Sequence, residues 1–198
     1  MGARAEATRQ TRLLIMEAAD RLFSERWFDE VSLSDVAKEA GVSQQTVINH
    51  FGTKDGLYIQ GMVELIGPEI TKLRDQVRPG DLDSITRIVC THYEDYGFGT
   101  VRMVAQAGRS DGLDEAIRFG NLAHRDWVAK AFTPQLETMA ADQRETTVRL
   151  LATVLDAATW YRLRRLEGRT VTQVRADLRH LLEAILASVT ETPAPEPR

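Results

Sequence analysis

Gln44, Gln45, Thr46 and Asn49 stand within six positions of one another, and each side chain can both donate and accept a hydrogen bond. Amides and hydroxyls of this kind match the donor and acceptor pattern that base edges present in the major groove of DNA. The chemistry is recognition rather than bond making, and it needs a rigid element that presents these groups together. The segment from Ser32 to Lys54 has the pattern of such an element. Ser32 and Ser43 sit where helix N-caps are needed, and Gly41 falls at a turn where a positive φ costs glycine nothing. Val36, Ala37, Ala40, Val42, Val47 and Phe51 make the inward face, with the small Ala37 allowing two helices to cross closely. The pattern predicts a helix-turn-helix whose second helix enters a major groove.

Upstream, Ile15, Ala18, Ala19, Leu22 and Phe23 recur at i, i+3, i+4, i+7 and i+8 and predict a first helix from about Thr8 to Arg26. After that helix come Ala40-Gly41-Val42-Ser43, Thr46-Val47, His50-Phe51 and Lys54-Asp55-Gly56-Leu57, and together they resemble the tetracycline-repressor (TetR) family of transcriptional regulators. The resemblance covers about Arg9 to Tyr58. It implies an all-α protein of about nine helices, with a three-helix DNA-binding domain over 1–53 and a helical effector-binding and dimerisation domain over 54–190. One position departs from the family, whose members usually carry a tyrosine that touches the DNA backbone where this chain has Ile48. An isoleucine cannot hydrogen-bond a phosphate, so that contact is not carried over.

Within the reader, Gln44, Gln45 and Asn49 are expected at base edges, while Ser32, Ser43, Thr46, His50 and Lys54 are expected to fix the docking on phosphates. Up to Asp55 the chain has seven basic residues (Arg4, Arg9, Arg12, Arg21, Arg26, Lys38, Lys54) against nine acidic ones (Glu6, Glu17, Asp20, Glu25, Asp29, Glu30, Asp35, Glu39, Asp55). Affinity must therefore come from the placement of a few cations, not from bulk charge.

The remaining chain also has helical patterning, with no strand-like alternation. After Thr53, a natural N-cap, a helix is expected to about Gly67-Pro68, where the proline ring must kink it or start a new one. Further helices are expected at about 81–96, 99–108, 112–132, 141–167 and 171–190, with Gly168 ending the penultimate one and Thr170 with Gln173 forming a capping box for the last. The proline-rich stretch 191–198 is expected to be disordered.

Val171, Val174, Leu178, Leu181 and Ile185 form a stripe on the final helix, and the preceding one is apolar nearly all round from Leu150 to Tyr161. Such helices need cover on more than one side, which a monomeric helical bundle could supply or, as the resemblance implies, a homodimer whose expected seam is Leu178, Leu181, Leu182 and Ile185. Two readers one DNA turn apart, about 34 Å, then match a palindromic operator. His92 and His124 each fall on the inward face of a helix, either as satisfied core residues or as groups that orient a ligand. In the second reading they join Tyr93, Tyr96, Met103, Trp127, Asp156 and Trp160 in a pocket for a small hydrophobic effector.

The function implied by the resemblance is a homodimeric repressor released from double-stranded operator DNA by that effector. The alternatives are control by a protein partner and action as an activator. An enzyme is the remote alternative, because His50, His92, His124 and His180 lack metal-ligand spacing and neither a nucleophile elbow nor a phosphate-binding glycine loop is found. No cofactor or metal is expected. The lone Cys90 suits buried packing. At 198 residues and net charge −4, without a leader pattern or an apolar run near the ~20 residues of a membrane span, the chain is expected in the cytoplasm and off the membrane.

Overall fold

The computed structural model describes residues 2–190, all of them in helices, turns and connectors; the tail expected to be disordered, 191–198, lies outside them. The chain divides into two compact units. Residues up to Lys72 join Gly99–Gly120 in the first, and Leu73–Phe98 join the residues from Asn121 onward in the second.

In the first unit α1 (Ala3–Glu25) begins earlier than its apolar stripe requires. The early turns are alanine-rich and carry a Glu6–Arg9 pair at 2.7 Å, both of which favour helix without any packing. A single 3₁₀ turn, Phe28–Glu30, leads to α2 (Leu33–Glu39), α3 (Gln44–Phe51) and α4 (Lys54–Gly61). Ile15, Ala18, Ala19, Val31, Val36, Ala37, Val47, Phe51 and Leu57 close into one buried cluster. The inward residues expected of the helix-turn-helix therefore meet those of the first helix.

From α4 the chain continues through a wide π turn, Met62–Ile66, into α5 (Gly67–Arg74). The Gly67 N–H reaches back five residues to the Met62 carbonyl, so the ladder is already loosened where Pro68 has no N–H to give.

Next comes α6 (Leu82–Val104), one helix where the sequence predicted two. Gly97 and Gly99 read as a break, but Gly97 is buried in the middle of the helix, and a Cβ there would lie 2.6 Å from Trp160 Cζ3. The glycine serves close approach of an indole and does not end the helix. Gly97→Ala is accordingly expected to cost about 1 to 3 kcal/mol, as overpacking does, despite alanine's better helix propensity. Urea unfolding curves check this, and an unchanged or raised midpoint would mean that Trp160 moves aside freely.

After α7 (Asp111–Ala131) and a single turn, α8 (Thr133–Leu136), the expected long helix over 141–167 is interrupted. It forms α9 (Ala141–Val154), α10 (Ala157–Tyr161) and a second π turn, Arg162–Leu166. Asp156 causes the restart, since its carboxylate accepts the Ala158 N–H at 2.8 Å as an N-cap. Gly168, at φ 68°, ends the segment as expected. Gln173 Oε1 accepts from the Thr170 N–H at 2.9 Å, completing the capping box of α11 (Val171–Thr190). α9 and α11 pack together. Ile85, Ile88, Leu151, Leu155, Trp160, Val174, Leu178 and Leu182 are fully buried in this second unit.

Candidate nucleic-acid interface and candidate ligand site

Both helices of the helix-turn-helix are capped by the serines expected. Ser32 Oγ accepts from the Asp35 N–H at 3.1 Å and Asp35 returns the bond to the Ser32 N–H at 2.9 Å. The Ser32 hydroxyl, donating to Asp35 Oδ2 at 2.7 Å, and after it the Ser32 N–H hold the Asp35 carboxyl below the usual carboxylate range. Ser43 Oγ accepts from the Thr46 N–H at 3.1 Å, and the two hydroxyls lie 2.8 Å apart. Between the helices Gly41 adopts φ 68°, the left-handed turn that only glycine enters freely.

On α3, Val47 and Phe51 point into the core, while Gln44, Gln45, Ile48 and Asn49 are exposed. Gln45 Nε2 donates to Asn49 Oδ1 at 2.9 Å, which holds the two amides together one helical turn apart. Thr46 and His50 are half-buried beside them.

Two cations brace this surface, and only one of them was anticipated. Lys54 is half-buried; its Nζ donates to the Phe28 carbonyl at 2.8 Å and stands 4.2 Å from the centre of the Phe28 ring. It therefore ties the start of α4 to the 3₁₀ turn, and two of its three N–H donors remain for other partners. Arg12 was missed. Its guanidinium donates to the His50 carbonyl at 3.1 Å, pairs with Glu64 at 2.6 Å and lies 4.5 Å over the Phe51 ring. No local pattern marks it, because its partners are 38 and 52 positions away.

In the second unit, the other expected cluster is assembled in part. His92 and Tyr93 stack with ring centres 4.6 Å apart, Tyr96 lies 5.9 Å from His92, and Trp127 stacks 6.2 Å from His124. Trp160 stands 6.0 Å from Tyr93 and donates from Nε1 to Glu94 at 3.1 Å. The Tyr93 hydroxyl donates to the Leu155 carbonyl at 3.0 Å. One expected member falls elsewhere, and another is engaged in a cap. Met103 packs with Phe28 and Leu113 in the first unit, because α6 runs unbroken and carries it there. The carboxylate of Asp156 caps α10, and its charge acts on Tyr93 and His124.

At the centre of the cluster is Arg74, which sequence reading passed over. Its Nη2 donates to His92 Nδ1 at 3.2 Å and to His124 Nδ1 at 3.3 Å, and the guanidinium lies 4.9 Å over the Trp127 ring. Trp127 Nε1 in turn donates to the Arg74 carbonyl at 3.3 Å. Burial beside this cation holds His92 neutral, its pKa lowered to about 3, and lowers that of His124 as well.

Of the expected dimer residues, Leu178 and Leu182 have no exposed surface left, so both are used up in the chain's own core. Leu181 is 41% exposed and Ile185 half-buried. Among the described residues no group of His, Cys, Asp and Glu is arranged to hold a metal, and no helix is long and apolar enough to cross a membrane.

Helical throughout its described residues, the chain combines a capped helix-turn-helix near its start with a second helical unit. Residues 15–60 match the sequence model of the bacterial regulatory proteins of the tetR family, so this segment is a DNA-binding domain of the tetR type. Over 68 residues it is 35% identical to an HTH-type transcriptional repressor of Mycobacterium tuberculosis and to an HTH-type transcriptional regulator of Mycobacterium bovis. The aligned segment is 34% of this chain and 36% of each relative, so the chain spans about a third of their length.

The fold as a whole resembles a tetR-family transcriptional regulator from Streptomyces coelicolor, with TM-score 0.72 and 21% identity over 96% of this chain and 84% of that one. A transcriptional regulator from Rhodococcus sp. Rha1 gives TM-score 0.70 and 20% identity over 92% of this chain and 99% of that one. A TetR transcription regulator from Haloarcula marismortui gives 0.68 and 17% over 91% and 98%. At such identities the likeness is one of fold.

Proposed function

We propose that the protein is a homodimeric transcriptional repressor of the cytoplasm, which reads a palindromic operator with α3 and is released by a small effector bound in its second unit. The observation that carries this reading is the exposed amide face of α3, with Gln44, Gln45 and Asn49 turned outward on a helix whose opposite face is locked into the core. Ser32, Ser43, Thr46, His50 and Lys54 sit around it at helix starts and half-buried positions, which suits contacts to phosphates. The name of the Mycobacterium tuberculosis relative supports repression. The aromatic-lined cluster around Arg74, His92 and His124 supports a small-molecule site.

Effector acts, in this reading, by its differential affinity for two dimer states, one with the readers at operator spacing and one with them away from it. Selection of bound DNA from random sequence tests the core of the proposal. A palindrome with half-sites one turn apart is the expected result, and failure to enrich any sequence would remove the reader role.

On the selected site, Gln44→Ala or Gln45→Ala is expected to cost about 1 to 3 kcal/mol and to relax preference at particular positions. Lys54→Ala should weaken all sequences alike and lower the salt slope by about one unit. Binding isotherms at several salt concentrations separate the two behaviours, and a Lys54→Ala variant that loses preference at one base pair would contradict its phosphate role.

A further inference from the structure

The guanidinium of Arg74, the last residue of α5, sits among neutral partners in the second unit. Among the described residues no carboxylate pairs with it; its neighbours are His92, His124, Tyr93 and Trp127. A guanidinium can only donate, so the Nδ1 atoms of both histidines are acceptors and their protons are on Nε2. His124 Nε2 then donates to the Ala152 carbonyl at 3.0 Å. His92 Nε2 donates to nothing, although the residue is only 4% exposed, and Arg74 Nε is buried without a partner as well.

The site is thus a cation and two idle N–H donors with no acceptor to receive them. A buried ion without a counter-ion, like a buried donor without an acceptor, is costly to keep, and a ligand that supplies the missing half would remove that cost. What is missing is one negative charge with hydrogen-bond accepting oxygens. The surrounding walls are the Trp127 ring, stacked on the guanidinium, and the Tyr93 ring, stacked on His92. Arg74 as a whole residue is half-buried.

We propose that Arg74 and His92 recognise a small organic carboxylate with an apolar or aromatic body, Arg74 Nε–H and His92 Nε2–H donating to its two oxygens. One cation balances one carboxylate, whereas a phosphate dianion would leave charge uncompensated among aromatic rings. The inference rests on the reading of this unit as the effector site and names the class of its ligand.

The test uses the full chain and pairs of probes that differ only in charge: decanoate against decanamide and 4-phenylbutyrate against 4-phenylbutyramide, with sodium phosphate and sodium chloride as inorganic controls. Thermal melting and titration calorimetry should show saturable binding of at least one acid, ten-fold or more tighter than its amide. Arg74→Met, confirmed folded by circular dichroism, should lose at least ten-fold for the acid and nothing for the amide, and Arg74→Lys should retain part of the difference. Should Arg74→Met not fold, the acid and amide comparison on the unaltered protein decides.

Equal binding of acid and amide, no binding of either acid, or stabilisation by phosphate or chloride alone each overturns the proposal. Operator binding measured beside these separates the two readings. An acid that binds through Arg74 but leaves DNA affinity unchanged sinks the effector role and keeps the carboxylate site. A neutral amide that releases DNA does the reverse.

Discussion

Leu181→Glu is expected to give a folded monomer, and Leu182→Glu an unfolded chain, although the two leucines are neighbours on α11. Leu181 is 41% exposed within one chain, so a carboxylate there is solvated in the monomer and costs little. In the proposed dimer the same carboxylate would be stripped of water without a partner, and two-fold symmetry places it there twice, for a penalty of several kcal/mol. Leu182 has no exposure at all in a single chain, so a charge at that position strikes the core made by α9 and α11 before any dimer forms. Sedimentation velocity and circular dichroism on both variants provide the check. A Leu181→Glu protein that stays dimeric at low micromolar concentration moves the seam to another surface.

Acidification from pH 7.5 to pH 5.0 is expected to cost the fold about 2 kcal/mol through His92 alone, with a further loss of the same sign through His124. Burial and the Arg74 cation lower the His92 pKa from 6.5 to about 3, so the folded protein does not take up this proton across that range. The unfolded chain does, below its own value near 6.5. The unfolded state then binds more protons, and stability that is complete above pH 6.5 falls, through His92, by up to about 1.4 kcal/mol per unit beneath it. Urea unfolding at fixed protein concentration across this range measures the slope, and His92→Gln should remove its share whatever its effect at pH 7.5. Equal slopes in the two proteins would mean that His92 takes up its proton in the fold.

Most of the reader was legible in the sequence because its determinants are short in range. A serine cap and the N–H it receives are three residues apart, at Ser32 and Asp35 and again at Ser43 and Thr46. Gly41 needs only its own φ, and the inward face of α1 follows from helical periodicity. The amides of α3 could be assigned outward because Val47 and Phe51 had to point in.

The second unit was legible only in outline, since helix type is a local property while burial and pairing depend on distant parts of the chain. Gly97 reads as a break until Trp160, 63 positions later, is seen against it. Asp156 sat in an apolar run that concealed a cap. Met103 was assigned to the ligand cluster, and the unbroken α6 delivers it to Phe28 and Leu113 instead. Arg74 had no signal at all, because His92 and His124 lie 18 and 50 positions away and a lone arginine at a helix end is ordinary. The sequence by itself determined the helical pattern of the described residues and the amide face that α3 turns outward, because caps, turns and periodicity act within a few residues. Which leucine of a stripe is buried, and which cation is left without a counter-ion, was decided only by tertiary packing, because those depend on which distant groups exclude water from the same place.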